Sequence, residues 1–206
     1  MASQAFVYTT KELSKNTWPD FAKLFSRGNG WDHCQCMHFH RSCILPKKKW
    51  LRTRAERAVR NRREKRELVE QGRSHGILVY ANGEPVGWCL YGPKEELPRI
   101  DNSRHYRAHA PDPGPHKLWR ITCFVVTKKH RKQGVATAAL QAALESIRKK
   151  GGGVVEAYPI ATWQSRAFGN ESTHGTASMF KKASFKPVAP LASTVFSTHV
   201  LMLRTL

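Results

Sequence analysis

The stretch from Val125 to Ala136, VVTKKHRKQGVA, constrains this chain more than any other, because it joins a strand-like run to a helix through a short basic loop containing one glycine. Upstream, Leu118 to Val126 (LWRITCFVV) is rich in aromatic and β-branched residues, the composition of a buried strand. Downstream, Val135, Ala139, Leu140, Ala143, Leu144 and Ile147 recur at three- and four-residue intervals, with Gln141, Glu145, Arg148, Lys149 and Lys150 on the other face. That spacing predicts an amphipathic helix ending at Gly151-Gly152-Gly153. The unpaired N–H groups of its first turn then point into the loop, where Gly134 lets a ligand approach the backbone and Arg131 and Lys132 add positive charge. Such a corner suits a pyrophosphate. No Gly-Lys-Ser/Thr follows, which excludes a Walker loop, and no Gly-x-Gly-x-x-Gly of a dinucleotide fold is present.

The spacing Arg-x-x-Gly-x-Ala at Arg131, Gly134 and Ala136, just after the strand ending at Val126, resembles the acetyl-CoA motif of the GNAT superfamily of N-acetyltransferases. The order of elements along the rest of the chain is similar to that family's core as well. The resemblance implies a single-domain α/β fold, a mixed central sheet with helices on both faces. It also implies a bulged strand 118–126 that splays from strand 154–158 to open a V-shaped slot. In that slot, main-chain groups of Phe124, Val125 and Val126 would bond the pantetheine amides of acetyl-CoA. The amides of Arg131, Lys132, Gln133, Gly134, Val135, Ala136 and Thr137 would hold its pyrophosphate, and Phe180 would pack against the cofactor.

Length and charge leave room for one domain spanning residues 1–206: an N-terminal strand and acceptor-side helices over 1–75, a core with the acetyl-CoA loop over 76–160, and a closing region over 161–206. Lys and Arg number 35 against 15 Asp and Glu, a formal charge of +20 that favours anionic partners, nucleic acid among them. The basic run from Lys47 to Arg66 is a second place where nucleic acid could bind, although it lacks interleaved aromatics. The N-terminal MASQAFVYTTKEL lacks the apolar core of a signal peptide and no apolar run is long enough to span a bilayer, so a soluble, cytoplasmic protein without membrane contact is expected, with a homodimer left open.

Elsewhere, Phe6 to Thr9 reads as a first strand, Trp18 to Phe25 as a helix, and Lys48 to Glu70 as a basic surface helix. Gly76–Ala81, Asn82-Gly83 and Glu84–Tyr91 carry the signature of a hairpin with a tight turn. Gly92 to Lys117, rich in proline and without periodicity, is a candidate substrate lid. Ser178–Ala183 reads as a short helix, with Phe185–Val188 and Thr198–Leu203 as closing strands.

Acetyl transfer to an amine needs a neutral nucleophile, stabilisation of the developing oxyanion and a proton donor for the departing thiolate. Residue 180, where the family often has a tyrosine acid, is phenylalanine, so the acid is open among Ser178, Tyr158 and water. For the base, Glu156 and Tyr158 come first because their strand borders the slot; Glu95, Glu96 and His174 are further candidates. The cluster His33-Cys34-Gln35-Cys36-Met37-His38-Phe39-His40, with Cys43 beyond it, is dense in metal-ligand types. It forms a single knuckle, however, so the expectation is an apolar pocket wall of Cys36, Met37 and Phe39, with no metal. The function expected is transfer of acetyl from acetyl-CoA to a primary amine by direct attack. The alternatives are acylation of a protein- or tRNA-linked amine, and a nucleic-acid-binding protein that keeps the fold without transfer.

Overall fold

The structure is a computed structural model and describes residues 7–26, 31–42, 53–160, 173–194 and 197–206. In chain order these form β1 (Thr9–Glu12), α1 (Trp18–Ser26), α2 (Arg54–Glu70), β2 (His75–Ala81), β3 (Glu84–Pro93), α3 (Arg104–His109), β4 (Leu118–Val126), α4 (Val135–Lys149), β5 (Val154–Ala157), α5 (Ala177–Lys182), β6 (Lys186–Thr194) and β7 (Ser197–Thr205). One mixed sheet of seven strands results, ordered β1-β2-β3-β4-β5-β7-β6. Among the strands named here β4 and β5 alone pair in parallel, because α4 carries the chain back across the sheet between them.

Apolar residues of α4 settle on one face of β2, β3 and β4, where Ala139, Leu140, Ala143, Leu144 and Ile147 are fully buried with Val79, Cys89 and Trp119. On the opposite face α1 contributes Phe21, Leu24 and Phe25, which pack on Trp88 and Leu90 of β3. The contact between α4 and β3 is so close that a Cβ on Gly87 would lie 2.3 Å from Val135. The β2–β3 hairpin turns at Asn82 and Gly83 with φ of 51° and 79°, the left-handed pair a tight turn requires.

Three expectations shift. The first strand lies at Thr9–Glu12, not Phe6–Thr9, because register against β2, with Thr9 opposite Tyr80 and Glu12 opposite Ile77, fixes it. Helix α2 begins at Arg54 behind a Thr53–Glu56 capping box, and the expected start near Lys48 lies outside the described residues. Its inward stripe is Asn61, Lys65 and Val69, spaced four apart, while Val59 is 72% exposed. The third shift concerns Gly92–Lys117, read as a lid. It holds two turns of 3-10 helix and α3, and it is anchored by buried Leu97, Ile100 and Tyr106.

On α2 four of the six arginines form ion pairs. Arg60, Arg63 and Arg66 meet Glu64, Glu67 and Glu70 one turn along, and Arg54 reaches Asp32 at 2.6 Å. No helix among the described residues is long and apolar enough to cross a membrane.

Candidate active site

β4 and β5 pair only from Leu118–Val154 to Ile121–Ala157. Beyond Ile121 the two separate, while β4 stays on β3 up to the Gly87–Val126 pair. A bulge lies at the parting point: Leu90 faces Cys123 and the next residue, Tyr91, faces Ile121, leaving Thr122 as the extra residue. Alternate residues of a strand direct their N–H and C=O to opposite edges. Phe124 therefore turns its backbone to the slot, as shown by its N–H bonding the Thr173 carbonyl at 2.6 Å. Val126 shares that direction. Val125 points its backbone at β3, facing Trp88, and its buried side chain joins the α1-side core, so no main-chain contact of Val125 with a ligand in the slot is compatible with this register.

At the end of β4 a single 3-10 turn, Lys128–His130, leads into the loop. Arg131 lays its Nε against the Val126 carbonyl at 3.4 Å, and Tyr8 donates its hydroxyl to the Gln133 carbonyl at 3.1 Å. Lys132 and Gly134 both adopt positive φ, 60° and 87°, which turns the chain sharply at the mouth of α4. No side chain caps this helix. Its first i→i−4 bond is from Ala138 N–H to the Gly134 carbonyl, so the amides of Val135, Ala136 and Thr137 precede it. A Cβ on Gly134 would meet nothing within 4 Å, so the space above the loop is open to a ligand. Backbone donors and the positive helix end thus meet at one open corner in the loop that carries Arg131 and Lys132, and the residues fit a pyrophosphate.

Around the slot, the candidates read from sequence are distributed unevenly. Glu156 is fully buried and both its oxygens are taken. Arg120 Nε donates to it at 2.6 Å, the Tyr106 hydroxyl lies 3.0 Å from each oxygen, and the Tyr158 hydroxyl donates as well. Arg120, 0% exposed, also donates to Asp101 through both terminal nitrogens, at 2.9 and 2.6 Å, and to the Leu97 carbonyl at 2.7 Å. Burial, with the Glu156 charge beside it, pushes the Tyr158 hydroxyl well above its ordinary value. This network ties the 97–109 segment to the sheet. Its sequence signal was the arginine inside an otherwise apolar strand, since a buried cation needs an anion somewhere in the fold.

Ser178 is exposed at the start of α5, its hydroxyl 3.1 Å from that of Thr176. Phe180, 0% exposed, is enclosed by Phe124 at 6.0 Å and Phe185 at 5.0 Å; the ring supports the slot from within the core and offers it no surface. His174 lies inside the slot, with Nδ1 3.1 Å from the Thr122 carbonyl. That partner fixes the proton on Nδ1 and leaves Nε2 as an acceptor. Burial, reinforced by His199, pushes His174 down to about 3, so it stays neutral near pH 7. Glu95 and Glu96 lie in the first 3-10 turn, where Glu96 contacts His75 at 3.3 Å.

In the cysteine segment, Cys36, Met37 and Phe39 are buried, Cys36 and Phe39 within the core that α1 joins. Cys43 lies outside the described residues. Among the described residues no group of three or more His, Cys, Asp or Glu is arranged to hold a metal ion. Fully buried Lys65 was not singled out by sequence; its Nζ lies 2.9 Å from His40 Nε2.

A splayed β4–β5 pair beside an uncapped, basic helix mouth defines an acyl-CoA-dependent transferase fold. A sequence profile of the acetyltransferase (GNAT) family matches residues 45–167, and the chain belongs to that family. Its fold is shared with a GNAT-family protein from Desulfovibrio desulfuricans, at 11% identity and a TM-score of 0.55 over 97% of this chain and 99% of that one. It is likewise similar to a GCN5-related N-acetyltransferase from Kribbella flavida, at 13% identity, TM-score 0.54, 97% and 98% covered. A third similar structure, yncA of Salmonella typhimurium, was solved with its cofactor acetyl-CoA; it is 14% identical, with a TM-score of 0.53 and 98% and 94% covered. No curated protein sequence matches the chain.

Proposed function

We propose that this chain transfers the acetyl group of acetyl-CoA to a primary amine by direct attack within a ternary complex. The observation that supports it most is the joining of the open helix mouth at Gly134 to the edge of β4 that parts from β5 beyond Ile121. When bound, acetyl-CoA supplies a thioester whose C–S bond is exchanged for an amide C–N bond, the amine proton leaving with the thiol of CoA.

Arg131, Lys132 and the amides from Gln133 to Thr137 hold the pyrophosphate. Val126 N–H and the Phe124 carbonyl offer strand-like bonds to the pantetheine arm. Phe124 N–H, directed into the slot and engaged by Thr173, is the donor aimed at the thioester oxygen once that carbonyl gives way. The acceptor Nε2 of His174 orients the neutral amine. Glu156, with both oxygens engaged, acts as the anchor of the wall that carries Tyr158. Of the two hydroxyls considered for protonating the thiolate, Tyr158 is committed to Glu156, which leaves Ser178.

The +20 charge keeps a protein- or tRNA-linked amine in view as acceptor, but the ion pairs along α2 use up much of the basic face that would grip RNA. Release of CoA measured chromatographically across a panel of small amines, peptides and aminoacyl-tRNA tests the reading. Acetylated product from one class identifies the acceptor. Acetyl-CoA binding without transfer to any of them would overturn it in favour of a binding protein.

A further inference from the structure

At the head of α4 the peptide plane between Gln133 and Gly134 decides which group the corner presents to a ligand. In a trans peptide the C=O and the N–H point to opposite sides. Turning this plane over, with the flanking Cα atoms nearly still, carries the residue after it from positive to negative φ, the difference between a type II and a type I turn. Gly134 stands at φ of 87°, and a residue without a Cβ accepts either sign. One orientation gives the corner an N–H donor. The other gives it a carbonyl oxygen, which repels an anion.

The loop's own bonds leave that plane unfixed. Gln133 Nε2 donates to the Lys129 carbonyl at 2.9 Å, and Thr127 Oγ1 meets His130 Nδ1 at 2.9 Å. The His130 N–H returns to the Thr127 carbonyl at 3.0 Å, and that of Arg131 to the Lys128 carbonyl at 3.4 Å. None of these engages the Gln133 carbonyl. On the helix side, Val135 is buried hard against Gly87, so the first turn of α4 is held in place and does not follow the plane. The Gln133 carbonyl is engaged from 125 positions away in the chain, by the Tyr8 hydroxyl, which donates to it at 3.1 Å. Tyr8 is placed independently of the loop. Thr9, next to it, pairs opposite Tyr80 of β2, and Tyr8 itself packs, half-buried, against the core that holds the apolar face of α4. On the other side of the plane, the Gly134 N–H has no protein acceptor among the described residues.

We propose that Tyr8 is a positioning residue for the cofactor: by holding the Gln133 carbonyl toward the head of β1 it keeps the Gly134 N–H turned into the open corner, ready for the pyrophosphate. This role rests on the acetyl-CoA function proposed above and adds to it a residue from the opposite end of the chain. The hydroxyl acts through the peptide plane, so its loss leaves the amides of Val135, Ala136 and Thr137 and the charges of Arg131 and Lys132 where they are. What changes is the share of chains whose corner is ready. A chain that populates both orientations binds with its affinity reduced by the fraction in the competent one. The net worth of one hydrogen bond sets that reduction at about three- to tenfold.

Tyr8→Phe removes the hydroxyl and keeps the ring, so the unliganded melting temperature should stay within about 2 °C of wild type. Coenzyme A is titrated calorimetrically into the full chain in both forms, and the glycine amides of isotope-labelled chains are followed by NMR as inorganic pyrophosphate is added below saturation. CoA should bind Tyr8→Phe about three- to tenfold more weakly. The Gly134 amide signal, which moves with pyrophosphate in wild type, should move less than about half as far in the variant. With a working acceptor, KM for acetyl-CoA should rise by the same factor while kcat at saturation is kept. Equal CoA affinity in the two chains would overturn the role of Tyr8 and leave the cofactor site standing. Weaker binding with an undiminished Gly134 response would overturn it too, since the hydroxyl would then act elsewhere than on that plane. A wild-type chain that binds no CoA defeats the proposed function, and the role of Tyr8 with it.

Discussion

Replacing Glu156 with Gln separates a carboxylate that performs chemistry from one that holds a wall. In the structure the side chain is 0% exposed and accepts from Arg120 at 2.6 Å, from Tyr106 at 3.0 Å and from Tyr158. Glutamine keeps the shape but withdraws the charge opposite a fully buried guanidinium. Breaking one side of a buried pair costs about 3–5 kcal/mol. Arg120 keeps its two bonds to Asp101, which places this case at the lower end, about 3 kcal/mol. At about 2.1 cal/mol/K per residue, 206 residues give an unfolding entropy near 0.43 kcal/mol/K, so the melting temperature should fall by about 7 °C. Calorimetry measures that shift, and CoA release at 25 °C, where the variant is still folded, should fall less than tenfold. A melting temperature within about 2 °C of wild type, together with a hundredfold slower transfer, would refute the anchoring role and make Glu156 a participant in proton transfer.

Three further outcomes follow from the same geometry. Gly134→Val forces a β-branched residue to φ of +87° and puts methyl groups into the open corner, so the thermal stabilisation given by acetyl-CoA should fall to less than about half; equal shifts in variant and wild type would place the pyrophosphate elsewhere. Phe180→Ala should cost about 3–5 kcal/mol in denaturant titrations, and Phe180→Tyr about 1–3 kcal/mol for a hydroxyl buried without a partner, both with acetyl-CoA affinity changed less than about threefold. Acid should destabilise the chain early: unfolded histidine takes up a proton near pH 6.5, whereas burial keeps His174 neutral down to about 3 and, helped by Lys65, holds His40 well below its ordinary value. The unfolded state then binds the extra protons, so stability drops as pH falls below 6.5, by up to about 1.4 kcal/mol per pH unit for each group. Urea midpoints unchanged between pH 6.5 and 5 would show that these rings are solvated.

The sequence by itself determined the elements whose logic is local. The β-branched run of β4, the three-and-four spacing of α4 and the Asn82-Gly83 turn each appear where their residues place them, because periodicity and left-handed φ preferences act over a few residues. The same locality made the basic loop and the uncapped helix mouth legible, since they are contiguous in the chain. What those residues face was decided in three dimensions. Glu156 read as a base and is held by Arg120, Tyr106 and Tyr158; Lys65 read as one more cation on a solvated helix and is buried against Trp88 and His40. Val125 and Phe124 are neighbours of similar character, yet strand register turns one backbone to β3 and the other to the slot. The proline-rich segment 92–117 shows no period because it is held to the sheet by scattered contacts, among them Arg120 to Asp101 and the Leu97 carbonyl, Tyr106 to Glu156, and buried Leu97 and Ile100. A buried charge announces that it needs a partner, but only the folded chain, by bringing distant residues to within 3 Å, chooses which one.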